Sequence, residues 1–369
     1  MTGFLAGLGL PELLAGTLVV ALNVYVLTGG ADFGGGVWDL FASGSRRDAQ
    51  RALIAHSIGP IWEANHVWLI LVLVILFTAF PPAFATFSTV LHIPLTLMLL
   101  GIVLRGSSFA FRSYGASGAT SPRRWGRTFA VASVVTPIVL GAIVGALASG
   151  AVGEAASSLS GGARTFAEIY VAPWLAPFPL AMGALALVMF AFLAAVYLAV
   201  AADDDALRDD FRRRGLAAAL AMFVAAFAGL LLAHRYAVRV GSALTAGPAL
   251  AFHAATGLAA ITAIWALWTR RWSLARAAAA AQVSLILWGW VLAQYPFVIP
   301  SSQSIRAVAA PRLTLLLLLY ALLGASVVLI PSLAFLFRTF ASGASATQST
   351  LRAGEPVAHD SDADRDAPS

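Results

Sequence analysis

Nine apolar runs near 20 residues long, all but one of the gaps between them bearing arginine, dominate the chain. At 1.5 Å of rise per residue, such a run crosses a hydrocarbon layer about 30 Å thick as a helix. The runs cover residues 13–28, 58–80, 83–104, 128–147, 179–202, 215–233, 249–268, 277–299 and 313–336. Lipid offers backbone groups no hydrogen-bond partners, and a helix pairs them within one segment. The pattern therefore specifies an all-α, polytopic membrane protein with nine transmembrane helices. Two four-helix bundles plus one additional helix would accommodate them.

Composition closes the alternatives. Hydrophobic residues make up 60% of the 369 and charged residues 11%, about half the charged share of a soluble domain. Neither a single soluble core nor a disordered chain fits that balance. There is no cysteine, which excludes disulfides, thiolate-bound zinc, iron-sulfur clusters and covalent c-type haem attachment. The net charge of +6 could suggest a nucleic-acid partner. However, all 23 basic residues are arginines, and they cluster between the apolar runs, where they set topology.

Alternate segments carry unequal shares of them. Arg46, Arg47, Arg51, Arg105, Arg112, Arg123, Arg124, Arg127, Arg208, Arg212, Arg213 and Arg214 fall on one side, with Arg270, Arg271, Arg276, Arg338, Arg352 and Arg365. That is 18 of 23, leaving Arg164, Arg235, Arg239, Arg306 and Arg312 opposite. The positive-inside rule then puts the N-terminus outside and the C-terminus in the cytoplasm. The first run lacks a basic flank and reads as a retained anchor, not a cleaved signal. Residues 1–338 form the expected nine-helix transmembrane domain. Residues 339–369, polar and without apolar periodicity, are expected to be a disordered cytoplasmic tail. The alternating charges of residues 203–214 read as a solvated loop with local ion pairs.

Acids at membrane depth need a reason, because an ionised group at a helix centre costs about 2.5–3.5 kcal/mol even on a mild scale. Fourteen of the 17 acidic residues fall in loops, the tail or the outer start of the first run. Asp32, Asp39 and Glu63 remain, all toward the arginine-rich side, with Arg105 at the inner end of the third run. His56, Glu63 and His66 share one helical face within roughly 80°, flanked by Asn65 and Trp68. Carboxylates and imidazoles so spaced can pass protons through intervening water. Glu63, Asp32, His56 and His66 are thus proton-pathway candidates. The alternative is a structural ion pair of Asp32 or Glu63 with Arg105; Asp39 could simply face cytoplasmic water.

The segment GGADFGGGVWD, residues 29–39, has five glycines in its first eight positions, which suits close helix packing around Asp32. A phosphate-binding loop is excluded by the absence of any lysine and of the GxxxxGK[ST] pattern. His92, midway through the third run, and His253 could each ligate haem, but polar packing is the plainer reading. Pro94 and Pro137 are candidate kinks. Tyr295, Pro296 and Pro300 mark a distorted helix end, where Gln294 could bond a neighbouring helix or a quinone carbonyl.

These residues resemble subunit II of the bd-type quinol oxidases. GGADFGGGVWDLF is similar to that family's glycine-rich first-span element, HSIGPIWEANHVWLI to its second-span signature, and LRGSSFAFR to the arginine segment after the third span. The resemblance implies a subunit of the prokaryotic inner membrane that packs against a haem-bearing subunit I carrying haem b and haem d. Together the two would oxidise quinol and reduce oxygen to water. It assigns the family's second-span acid to Glu63, on the proton route, and its first-span acid to Asp32. Arg105, Asn65, Trp62 and Trp68 become supporting residues. Ala110 stands where some relatives carry an acid, so His56, His66 or ordered water would replace that carboxylate here. The resemblance implies no activity for the subunit alone and no metal of its own. A bound quinone, a small accessory subunit, and lipid and quinol contacts are further implied partners. The competing reading of the inward acids is a proton- or ion-coupled transporter, which would show paired interrupted helices near the bilayer midplane.

Overall fold

The computed structural model describes residues 9–114, 122–159, 161 and 164–352; the side chains of 58–64, 112–114, 122–123, 248 and 336–352 lie outside that description. Two units divide the chain, Met1–Ala321 and Leu322–Ser369.

In chain order the long helices are α1 (Leu10–Leu40), α2 (Arg47–Ala79), then a short α3 (Pro81–Val90), α4 (His92–Tyr114) and α5 (Pro122–Ser149). Three short helices follow, α6 (Ala151–Ser158), α7 (Phe166–Tyr170) and α8 (Ala172–Leu175). After these come α9 (Pro177–Ala201), α10 (Asp205–Tyr236), the short α11 (Val238–Thr245), α12 (Gly247–Trp268) and α13 (Trp272–Gln294). A two-stranded antiparallel hairpin, β1 (Phe297–Ile299) and β2 (Gln303–Ser304), precedes α14 (Arg312–Arg352). Among the described residues, eight helices are long and apolar enough to span a membrane, and nine if the bent pair at Phe80 counts as one span.

Several boundaries differ from the sequence reading for identifiable reasons. Residues 83–104 are not one helix. Pro81 and Pro82 lack the N–H that would continue α2, and the chain turns by 117° at Phe80 before α3 begins. A second break at Leu91 starts α4 at His92, so His92 sits at a helix start and not mid-span. Pro94 then occupies a first turn, where it kinks nothing. The charged stretch 203–214 is not a loop from Asp205 onward: the Asp204 carboxylate accepts from Leu207 N–H at 2.9 Å and caps α10. α13 ends at Gln294, ahead of the cis Tyr295-Pro296 bond, and residue 299 belongs to the hairpin. α14 continues past 338 to Arg352.

The core centres on α9, which packs against α1, α5, α10 and α13. Phe190, Phe192, Leu193 and Val196 of α9 meet Tyr25, Val26 and Phe33 of α1 and Met222 of α10 there. Pairs α1/α2, α4/α5, α9/α10 and α12/α13 are neighbours in space as in sequence. The glycine-rich segment remains helical throughout and lets α1 approach α9. A Cβ at Gly34 would fall on the backbone oxygen of Phe190, well under the 3.0 Å that real Cβ atoms respect.

Hydrogen bonds among segments 41–51, 205–214 and 269–271 hold three arginine-bearing segments together on one face. Arg46 and Gln50 bond Asp210, and Arg270 bonds Asp209. On the opposite side Arg306 pairs with Glu12.

Candidate functional site

Asp32 of α1 and Arg105 of α4 form a sealed ion pair. Both side chains are at most 2% exposed. Arg105 Nη1 donates to Asp32 Oδ2 at 2.6 Å, and Nη2 donates to Oδ1 at 2.6 Å and to the Asp32 carbonyl at 2.8 Å. Nε donates to Ser133 Oγ of α5 at 3.0 Å, and that hydroxyl donates to the Phe129 carbonyl at 2.7 Å. The rings of Phe33 and Phe129 lie 4.8 and 4.9 Å from the guanidinium carbon. Planar, bidentate pairing and two aromatic faces satisfy a cation that could not otherwise rest in an apolar interior. Gly36 makes this geometry accessible, because a Cβ there would overlap the Ser133 hydroxyl.

Asn65 of α2 is 1% exposed and closes the contact with α1. Thr28 Oγ1 donates to its Oδ1 at 3.3 Å, and its amide sits against Gly29. Trp68 is half-buried and packs on the core around α9. Trp62 and Glu63 have side chains outside the described residues. Their backbone is regular helix, which fixes the angular position of residue 63 around α2. His56, position 63, Ile70 and Phe77 recur every seven residues, a spacing that drifts only about 20° per step. His56 is exposed, Ile70 is 59% exposed and Phe77 60%. His66, half-buried, lies about 60° round the helix from position 63. Asn65 is about 160° away, so the face bearing His56 and position 63 is turned from α1.

Asp32 and Arg105 therefore come together while Asp32 stays apart from that face. Asp39 does not face open water, being 2% exposed, with Arg51 Nε 3.7 Å from its carboxylate. His92 Nδ1 lies 2.9 Å from the Thr89 carbonyl and its ring meets Tyr170 edge-on at 5.0 Å. His253 Nδ1 lies 2.8 Å from the Ala249 carbonyl. Both are exposed, and no three His, Asp or Glu converge as a metal site among the described residues. Gln294 Nε2 donates to the Val298 carbonyl at 2.8 Å, across its own helix end.

Two participants escape a reading of the sequence. Ser133 is one hydroxyl in an apolar run, with no pattern tying it to Arg105, 28 residues away. Asp210 lies among alternating charges and is distinguished only by its bonds to Arg46 and Gln50. Ser108, one helical turn beyond Arg105, is also fully buried, and its hydroxyl has no partner among the described residues.

Fold and site together define a multi-span helical membrane protein whose interior charge is locked between its helices. The sequence-family model for cytochrome bd terminal oxidase subunit II matches residues 10–340, and the chain belongs to that family. Cytochrome bd ubiquinol oxidase subunit 2 of Bacillus subtilis (strain 168) is 32% identical over 118 residues, 31% of this chain and 33% of the relative. Cytochrome bd-I ubiquinol oxidase subunit 2 of Escherichia coli (strain K12) is 30% identical over 138 residues, 37% of this chain and 35% of that one. The chain thus aligns with about a third of the length of these curated relatives. A chain of the bd oxidase from Geobacillus thermodenitrificans shares the fold, with a TM-score of 0.75 and 19% identity over 90% of this chain and 98% of that chain.

Proposed function

We propose that the chain is the non-haem second subunit of a bd-type quinol:oxygen oxidoreductase, supporting the haem-bearing subunit and supplying it with protons from the cytoplasm. The carrying observation is the outward face of α2. It bears exposed His56, position 63 and half-buried His66, and continues into exposed Ile70 and Phe77. An acid left against acyl chains is costly, so a partner surface with water in its seam is the reading that face supports best. The rise from His56 to His66 is about 15 Å, enough to carry protons from the headgroup level inward.

In this reading the imidazoles of His56 and His66 each take a proton on one ring nitrogen and release it from the other. The Glu63 carboxyl exchanges protons with water between them. With Ala110 in place of a carboxylate, these imidazoles and water carry the step. Haem b and haem d of the partner would supply the redox chemistry: two quinols give up four electrons and four protons to become quinones, while one oxygen takes four electrons and four protons to become two waters. The Asp32–Arg105 pair, with Ser133, holds α1, α4 and α5 together behind the α2 face.

The N-terminus lies outside and the polar residues from 339 in the cytoplasm of the bacterial inner membrane, with lipid and quinol as neighbours. Any accessory subunit or bound quinone would be additional. A coupled transporter would carry matched interrupted helices, whereas the described residues contain one bent pair of that kind.

Affinity purification of the full chain from native membranes tests the assignment. The expected result is a co-purifying haem-bearing partner, seen in the reduced-minus-oxidised spectrum, with quinol-driven oxygen uptake that the chain alone lacks. A preparation free of haem and of oxygen uptake would contradict it.

A further inference from the structure

A cleft of about 310 Å³ opens on the arginine-rich membrane face, away from the α2 stripe. Ser43, Gly44 and Ser45 line one wall, and Arg46, Arg213 and Arg214 contribute three guanidiniums. The single carboxylate there, Asp210, is engaged by Arg46 at 2.6 and 2.9 Å and by Gln50 Nε2 at 2.9 Å. Positive charge is therefore in excess. Arg214 Nη2 donates to Gln50 Oε1 at 2.7 Å and to the Phe41 carbonyl at 3.2 Å, but its Nη1 is buried without a partner among the described residues. The part-buried guanidinium also lies over the rings of Phe211 and Trp38, 5.1 and 5.5 Å from its central carbon, which leaves an N–H that an anion or water would complete.

Main-chain geometry adds to the bias. Gly44 adopts φ +76°, a conformation that favours glycine, and turns the chain into α2. Arg46 is the N-cap and offers no side-chain cap, so the positive end of a 33-residue helix opens beside the cleft. Leu40 and Phe41, 46% and 59% exposed, lie next to it in the chain.

We propose that this cleft is a phosphate-binding site, taking either the phosphodiester of an anionic lipid headgroup or a soluble phosphate ion. Arg213 and Arg214 pair with its oxygens, and Ser45 and the start of α2 complete the cradle. The exposed Leu40 and Phe41 would meet the acyl chains of a lipid occupant.

The test uses the complex purified from native membranes. In one arm it is placed in nanodiscs of phosphatidylcholine alone or with phosphatidylglycerol, and retained phosphatidylglycerol is counted by native mass spectrometry. In the other, the unfolding temperature is followed against inorganic phosphate, with chloride matching the ionic strength. Arg213→Gln removes one exposed cation, and Ser45→Asp adds a carboxylate to the cleft without removing packed atoms. Arg276→Gln, exposed on α13 and outside the cleft, is the control. Both cleft variants should weaken the responding arm roughly tenfold while the control does not. A response in the first arm identifies lipid, and one in the second identifies free phosphate. The proposal is overturned if neither probe separates wild type from the cleft variants, or if Arg276→Gln weakens binding equally.

Discussion

Arg105 and Asp32, 73 residues apart, share two charge-assisted hydrogen bonds of 2.6 Å inside a helix junction that neither water nor lipid reaches. Their value lies in register more than in net energy. A buried pair gains little over well-packed apolar residues, but removing one member strands the other. Arg105 also reaches Ser133 and the Asp32 carbonyl, so one side chain fixes three helices.

Replacing Asp32 by Asn or Arg105 by Met should each destabilise the assembled protein by about 3–5 kcal/mol. The double replacement Asp32→Leu with Arg105→Met should cost clearly less than the sum of its parts, because no charge is left unpaired. Denaturant unfolding of all variants, read as a double-mutant cycle, checks this. Additive losses would mean that the two residues act independently.

Glycine spacing gives a second expectation. Gly34→Ala drives a methyl group into the Phe190 backbone and should cost about 1–3 kcal/mol through forced separation of α1 and α9. Gly16→Ala, on the same helix with open space around it, should be neutral or slightly stabilising. Unfolding temperatures of the two variants, measured side by side, decide the matter.

Much of this was legible in the sequence, and the reasons are physical. Spans announce themselves because lipid demands long apolar runs, and the arginine alternation grouped segments that do meet, as Arg46 with Asp210 and Arg270 with Asp209 show. The glycine-rich segment around Asp32 foretold close packing. The break at Leu91 was hidden, since hydropathy is continuous across residues 83–104 and carries no signal of direction. The burial of Asp39 had no signal either, because Arg51 of α2 reaches it only through the path the chain takes from Phe41 to Arg46, which apolar periodicity does not encode. Ser133 had no signature at all, as its role exists only once α5 lies against Arg105.

A local pH effect is expected at the short helix α7. Thr165 N–H and Oγ donate to Glu168 Oε2 at 2.7 and 2.8 Å, which holds the Glu168 carboxyl below its ordinary value of 4.5. A lowered folded-state value means that the cap is fully effective above 4.5 and is lost as pH falls through that lower value. Amide exchange across Phe166–Tyr170 should therefore accelerate on acidification in the wild type. In Glu168→Gln it should be faster at neutral pH and lose that dependence. An unchanged profile in the variant would show that the cap does not govern this helix.

The proton route makes its strongest claim at position 63, between exposed His56 and exposed Ile70 on α2. Quinol-driven oxygen uptake by the purified Glu63→Gln complex, normalised to haem content from its reduced-minus-oxidised spectrum, is the direct test. Turnover is expected to fall by about tenfold or more at unchanged haem content, as for loss of a proton-transferring group. Wild-type turnover per haem in that variant would contradict the assignment.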